Sequence, residues 1–243
     1  MMQTFKRYIL AQQYTPGVVG LWVNPFYLAR RGLLEEIGKI APKMKGRLLD
    51  VGCGRKPYRN LFRVDEYVGL EIDTPENRAS KQADFYYDGK AFPFISNEFD
   101  GVVCNQVLEH IFTPDQFLGE ISRVLKNDGL LLLTVPFVWD EHEQPWDFAR
   151  YSSFGLKSLL ERNGFEVLEQ RKTNADVRVL FQLTNAYLQK VLWTRSSIMN
   201  LLFCAILMAP FNLLGVALHR LLPRNPDLYL DQVVLARKKV GNG

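Results

Sequence analysis

Short unbroken apolar runs alternate along this chain with amphipathic stretches, which is the rhythm of strands and helices taking turns. Arg47 to Val51 is a predicted strand, running into the turn Gly52-Cys53-Gly54. Tyr67 to Ile72 is a second strand and Ala83 to Tyr87 a short third. Phe99 to Asn105, opened by the turn residues Asn97-Glu98, is a fourth. Pro114 to Leu125 has helical spacing, with Thr113 placed as N-cap and Pro114 in the first turn. Asn127-Asp128-Gly129 is expected to end that helix, with Gly129 as a left-handed cap. Leu130 to Val135 is apolar throughout, as a strand buried on both faces must be. A helix follows over Tyr151 to Asn163, with Ser152-Ser153 to cap it and Gly164 to stop it, then strands over Phe165 to Gln170 and Leu228 to Ala236. The alternation predicts an α/β fold with a doubly wound, seven-stranded, mostly parallel sheet.

Two segments fall outside that rhythm. Residues 1–45 read as a helical lead-in, with Asn24-Pro25 starting a helix over Phe26 to Ile40 and Pro42 and Gly46 closing it. This helix is expected to cover the sheet edge or the cofactor mouth, in preference to serving as a lid, and the remaining domain is 46–243. The second segment is a helical insertion, about 176–226, before the last strand. Within it Ser196 to Leu218 carries no charged residue and is long enough for the roughly 20 residues that cross a bilayer. A single crossing is disfavoured, because the last strand must return to the sheet that the sixth has just left. Lys190 and Arg195 before the segment, and Arg220 and Arg224 after it, put both ends on the cytosolic side. Pro210 marks an expected bend between two short helices. The segment reads either as a re-entrant or interfacial hairpin making peripheral contact with a membrane, or as a buried helical subdomain or dimer interface; the first is preferred for the length of the apolar run.

Composition narrows the function classes. A chain of 243 residues buries one sizeable core, and a net charge of +4 spread over scattered Lys and Arg builds no nucleic-acid surface. Its small basic clusters are Lys6-Arg7, Arg30-Arg31 and Arg237-Lys238-Lys239. Cys53, Cys104 and Cys204 lie far apart with no metal spacing, so no metal ligand set is read, and a reduced, cytoplasmic setting is expected. Met1 to Gln13 shows no cleavage-site pattern of a signal peptide.

The chemistry lies at strand ends. A strand running into Gly52-Cys53-Gly54, and a second one ending in Glu71-Ile72-Asp73, mark a nucleotide-type cofactor site at the open end of a parallel sheet. Asp50 is two residues ahead of the first glycine. A carboxylate there repels a pyrophosphate but welcomes a cofactor bearing an ammonium and a sulfonium. Arg55-Lys56-Pro57 stands where a dinucleotide enzyme has its third glycine, so the first helix is expected to start late, near Pro57.

Asp50-Val51-Gly52-Cys53-Gly54 resembles motif I of the class I S-adenosylmethionine-dependent methyltransferases. Asp88-Gly89-Lys90-Ala91-Phe92-Pro93-Phe94, Glu98 to Val103, Val107-Leu108-Glu109-His110-Ile111 and Leu125 to Leu131 are similar to that family's later blocks, in order. The closest flavour is the methyltransferase domain 11 group. The resemblance covers Arg47 to Pro136 and, with Gly164-Phe165-Glu166-Val167, most of the fold, and it implies a Rossmann-like methyltransferase fold with S-adenosyl-L-methionine as cofactor. Gly52 and Gly54 then let the backbone approach the methionine part, with Cys53 between them, and Asp50 receives the amino group. Glu71 accepts from the ribose hydroxyls, ahead of Asp73. Asp88 accepts from the adenine amino group, Ile72 packs on the ring, and Asn105 faces the crevice near the methyl. Plainer readings stand beside these: Asp88 as a turn residue, His110 as a hydrogen-bonded helix residue, Cys53 and Cys104 as small apolar fillers.

The loop from Val135 to Tyr151, rich in aromatics and acids, borders the acceptor side. His142 is its candidate catalytic base, with Asp147, Arg150 and Tyr151 to orient an acceptor. The other reading has His142 and Arg150 pinning the loop, since displacement at a sulfonium is driven by positioning and can proceed without a base. Similar His-Glu-x-Pro loops and apolar insertions occur in bacterial methyltransferases of surface polysaccharides and lipid-linked glycans. The expectation is therefore methyl transfer, at oxygen, to a small-molecule, lipid-linked or glycan acceptor on the cytosolic face of a membrane. A non-catalytic binding module of a membrane complex and an NAD-dependent oxidoreductase are the alternatives.

Overall fold

The computed structural model describes residues 9–240, so the Lys6-Arg7 cluster lies outside the described residues. Among the described residues seven strands form one sheet. They are β1 (Arg47–Val51), β2 (Glu66–Ile72), β3 (Phe85–Tyr87), β4 (Phe99–Asn105), β5 (Leu125–Pro136), β6 (Phe165–Lys172) and β7 (Asp231–Lys238). Their order is β3-β2-β1-β4-β5-β7-β6. The pairs β1–β2, β1–β4, β2–β3 and β4–β5 are parallel. β7 runs against β6: the Lys239 amide bonds the carbonyl of Gly164 at one end, while Thr173 exchanges bonds with Leu230 and Asp231 at the other. The strand order reverses at β1 and β4, which opens a crevice at their carboxyl ends.

The helices are α1 (Gly20–Val23), α2 (Tyr27–Ile40), α3 (Pro75–Ser80), α4 (Pro114–Val124), α5 (Ser153–Arg162), α6 (Arg178–Leu192), α7 (Ser197–Phe203) and α8 (Ala209–Leu218). The chain divides into two compact units. Among the described residues one holds 37–137, 141–171 and 232–240, and the other 9–36, 138–140 and 172–231.

The first unit contains the sheet. Leu49, Val51, Val102, Cys104, Leu131 and Leu133 fill its centre and are fully buried. Two sequence expectations fail here. Helix α4 ends at Val124 and β5 begins at Leu125, so Lys126 to Gly129 belongs to the strand. Asp128, at φ 61°, takes the left-handed position assigned to Gly129. Gly129 is needed for close approach instead, since a Cβ there would lie 2.8 Å from the Lys126 carbonyl oxygen. This tight irregularity absorbs the register shift against β4 between Phe99 and Gly101. Second, among the described residues no α-helix lies between β1 and β2, only a 3-10 turn over Arg59–Leu61. Lys56, left-handed at φ 51°, and Pro57 break the helix start, and buried Tyr58 and Phe62 pack in its place.

The second unit joins the N-terminal lead-in to the insertion. Asn24 opens α2 by accepting from the Phe26 amide at 2.8 Å. The Ser197–Leu218 run is one continuous helix of 22 residues. The bend expected at Pro210 does not form there. A π-helical segment, Cys204–Met208, precedes the proline, and its wider turn bonds the Ala209 amide to the Cys204 carbonyl, which accommodates a ring that would crowd an α-turn. One face of this helix is tied down by polar bonds. Asn212 Nδ2 donates to the carbonyls of Leu21 (3.0 Å) and Asn24 (3.1 Å), and Asn185 Nδ2 donates to Asn212 Oδ1 at 3.0 Å. Gly215 lets α2 approach, since a Cβ there would meet Leu28 Cδ1 at 2.8 Å. Leu201, Leu202, Ile206, Leu207, Leu213 and Leu214 are exposed on other faces.

Candidate active site

Asp50 sits near the carboxyl end of β1 and is 5% exposed. The Tyr67 hydroxyl donates to its Oδ2 at 2.6 Å. Burial pushes the Asp50 carboxyl up to about 7, against the opposing pull of the Tyr67 hydrogen bond and of Lys56. Such a group is poised to accept a cation that arrives with a ligand.

The turn after β1 is closed by the amides of Gly52 and Cys53, both bonded to the Leu70 carbonyl. Gly52, at φ 68°, cannot be replaced freely: a Cβ would lie 2.4 Å from Val107 Cγ2. The same contact brings the segment after β4 directly beside the glycine turn. The Gly54 amide donates to Glu71 Oε2 at 2.9 Å, and Ile72 N donates to Oε1 at 3.1 Å. Glu71 therefore closes over the turn from the end of β2. Asp73, its competitor for a ribose, is held by a two-pronged contact with Arg78, one prong at 2.6 Å. Burial pushes the Cys53 thiol up to about 12 and raises that of Cys104 well above its ordinary range, so both are unreactive neutral thiols.

Ile72 is 43% exposed, with its Cδ1 3.6 Å from where a side chain on Gly89 would begin. Asp88 is exposed, and its Oδ1 accepts from the amides of Lys90 (2.9 Å) and Ala91 (3.3 Å). Those bonds hold its carboxyl below the usual range and make it the anchor of its own turn. At the end of β4, Asn105 Oδ1 accepts from Thr134 Oγ1 at 2.7 Å, and that hydroxyl accepts from the Gln106 amide at 3.1 Å.

His142 is held by a buried clamp. Asp147 Oδ2 accepts from the His142 amide at 3.0 Å and lies 3.3 Å from its Nδ1. Arg150 grips both Asp147 oxygens at 2.6 Å and pulls the carboxyl down to about 2. The His110 ring meets His142 edge-to-face at 4.9 Å.

Sequence reasoning gave no site role to four residues here: Tyr67, Lys56, Glu109 and His110, the last read as a hydrogen-bonded helix residue. Lys56 crosses β2 to pair with Asp84 at 2.6 Å, and a Cβ on Gly69 would strike its Cε at 2.3 Å. Its signal was a lysine just ahead of Pro57, which stands in the third-glycine position, with a glycine in the next strand. The signal for Tyr67 was an aromatic hydroxyl entering the strand beside a buried acid.

The donor set suits a cofactor with an ammonium and a vicinal diol. Asp50 offers a buried carboxylate that gains from a cation, and Glu71 an acceptor at the end of the next strand. Comparison with known proteins bears on the family and its cofactor. The sequence profile of a methyltransferase-domain family matches residues 25–170. An uncharacterised protein of Methanocaldococcus jannaschii is 31% identical over 49% of this chain and 54% of its own length. A probable S-adenosylmethionine-dependent methyltransferase of Mycolicibacterium smegmatis is 27% identical over 62% of this chain and 63% of its own. The chain thus spans between half and two thirds of the length of these curated relatives. Among solved structures, phosphoethanolamine N-methyltransferase 2 of Haemonchus contortus, in complex with S-adenosyl-L-methionine, shares the fold with a TM-score of 0.55. Its identity is 17%, over 96% of this chain and 57% of that one.

Proposed function

The chain belongs to the class I S-adenosylmethionine-dependent methyltransferase family, whose cofactor is S-adenosyl-L-methionine, and from that premise we propose that it methylates an oxygen of a small, lipid-linked or glycan acceptor at a membrane surface. The observation that carries the methyl-transfer part is the buried Asp50 carboxyl beside the glycine turn, bonded by Tyr67. When bound, the cofactor would supply an electrophilic methyl group that passes to the acceptor oxygen as the carbon–sulfur bond breaks, with the neutral thioether as leaving group and the hydroxyl proton lost.

The residues of this chain supply position and charge. Asp50 holds the cofactor's ammonium, with the Tyr67 hydroxyl fixing the carboxylate's orientation. Glu71 takes the ribose hydroxyls, Gly52, Cys53 and Gly54 form the close-approach turn, Ile72 and Gly89 flank the adenine, and Asp88 sets the adenine loop. Asn105, its amide fixed through Thr134, sits at the end of β4 toward the reacting methyl. His142 is the acceptor-side residue, its ring fixed by Asp147, and it lowers the cost of removing the acceptor's proton.

The membrane part rests on the Ser197–Leu218 helix, of which only 28% of the apolar window is buried. Its polar contacts with Leu21, Asn24 and Asn185 hold it to neighbouring helices, which favours lying in an interface over spanning. Lys190, Arg195, Arg220 and Arg224 flank it and suit anionic head groups on a cytosolic leaflet.

Labelled cofactor incubated with purified protein and separated membrane and soluble extracts tests both parts. Label in the lipid fraction, lost in Asp50→Asn and Glu71→Gln, is expected. Label confined to soluble acceptors overturns the membrane part, and cofactor binding without label in any fraction overturns methyl transfer in favour of a binding module.

A further inference from the structure

We infer that Glu109, His110 and His142 form a binding site for one divalent transition-metal cation, of the zinc or manganese class, beside the glycine turn. One carboxylate oxygen of Glu109 and one ring nitrogen of each histidine lie within 4.8 Å of one another. His110 Nε2 is 3.9 Å from Glu109 Oε1. Two ligands bound at about 2.1 Å in a tetrahedral array stand roughly 3.4 Å apart, so closing around an ion brings this pair together by about half an ångström, and atoms as far apart as 4.8 Å by about 1.4 Å. Two imidazoles and one carboxylate, with positions left open, make a set that suits zinc, manganese or ferrous iron.

The surroundings prepare each ligand. His110 Nδ1 lies 2.8 Å from the Trp146 carbonyl oxygen, which can only accept, so Nδ1 carries the hydrogen and Nε2 presents its lone pair. His142 Nδ1 lies 3.3 Å from Asp147 Oδ2, and a hydrogen on Nδ1 shared with that carboxylate leaves Nε2 to act as the ligand. Arg150 approaches the same Nδ1 at 3.4 Å, and its charge is offset by the two-pronged bond to Asp147. The Glu109 carboxylate is fully buried, and an ion of charge +2 adds the positive field that a buried anion favours. Glu143, on an exposed side chain with its Oε2 4.0 Å from His110 Nε2, is within reach as a further ligand. Glu109 and His110 follow Val107, whose methyl fills the space beside Gly52, so the ion stands next to the cofactor turn.

The ion's role rests on the methyl-transfer reading: an acceptor hydroxyl entering an open coordination position loses its proton to solvent more readily, and His142 lowers the cost of that loss as a ligand of the ion. Binding itself does not depend on that reading. Untagged, chelator-stripped full-length protein is titrated with Zn2+ and Mn2+ separately by calorimetry, and with S-adenosylmethionine in parallel. One Zn2+ or Mn2+ per chain is expected. Affinity should fall about ten-fold or more in His110→Gln and in His142→Gln, and about 10–100-fold in Asp147→Asn, which removes no ligand. Far-UV circular dichroism melts verify that each variant is folded. No saturable binding of either ion, or an affinity in both histidine variants unchanged from that of the native protein, overturns the site. Cofactor binding without metal binding leaves methyl transfer standing and removes the ion, while metal binding without cofactor binding does the reverse.

Discussion

Cofactor affinity should rise with pH, and Asp50 should be the reason. In the protein without cofactor, burial moves this carboxyl from 3.8 to about 7. The ionised form is thereby disfavoured by about 4 kcal/mol relative to water. A ligand ammonium restores that ionisation, so below pH 7 each binding event must also release a proton. The affinity is then expected to gain up to about ten-fold per pH unit between pH 5 and 7, levelling above it, while the ligand's own amine, with a pKa of about 8, stays protonated. Stability runs the opposite way. The folded pKa lies above the unfolded one, so the unfolded state ionises first and the apo-protein loses stability as pH rises from about 4 to about 7; cofactor binding returns it. Calorimetry in two buffers of different ionisation enthalpy reads the proton released at pH 6. Asp50→Asn should abolish both the slope and the proton release while leaving Tyr67 its hydrogen-bond partner. An affinity flat from pH 5 to 7, or a slope that survives Asp50→Asn, refutes the reasoning.

Other perturbations have defined outcomes. Gly52→Ala places a Cβ 2.4 Å from Val107 Cγ2 at a φ of 68°, and should lower stability by about 1–3 kcal/mol and block cofactor binding. Adding Val107→Ala should restore part of the melting temperature, and no recovery would locate the strain in the backbone alone. Glu71→Gln keeps an acceptor for the Gly54 amide but removes the charge, so cofactor affinity should drop roughly ten-fold with the melting curve little changed. Asp147→Asn leaves Arg150 without its two-pronged partner and should cost about 2 kcal/mol in chemical denaturation at pH 7. The native carboxyl, held near 2, contributes stability above pH 4 that disappears as the pH falls through 2. Replacing Leu201, Leu202, Ile206 and Leu207 by Ser should end flotation with anionic vesicles without lowering cofactor affinity, and continued flotation would exclude this face as the contact.

What could be read from the sequence follows the range of the forces involved. Strands β1 and β4 match their predicted bounds, because a central parallel strand is buried on both faces and its apolar run ends where burial ends. Glu71 was preferable to Asp73 on spacing alone, and the fork from Arg78 to Asp73 adds a local reason five residues away. The start of β5 was misjudged because Lys126 to Gly129 has the composition of a helix stop. A register shift against β4, made one strand away, outweighs that local preference. The helix after β1 was expected from the fold's usual rhythm, yet left-handed Lys56 answers to Asp84, a partner beyond the next strand. The acceptor side was the least legible, for the same reason. His110 and His142 are separated by a strand, a helix and a loop; the first alone reads as a hydrogen-bonded helix residue and the second as a candidate base, and nothing in their spacing pairs them. Only the return of the 137–151 loop brings Trp146 O to one ring and Asp147 to the other. A pair of residues with one function can thus be invisible in spacing when each is fixed by a different partner on the same loop, and here the two fixing residues are neighbours, Trp146 and Asp147. Their adjacency means that one movement of this loop sets both rings together, which ties acceptor-side chemistry to the ordering of a single segment.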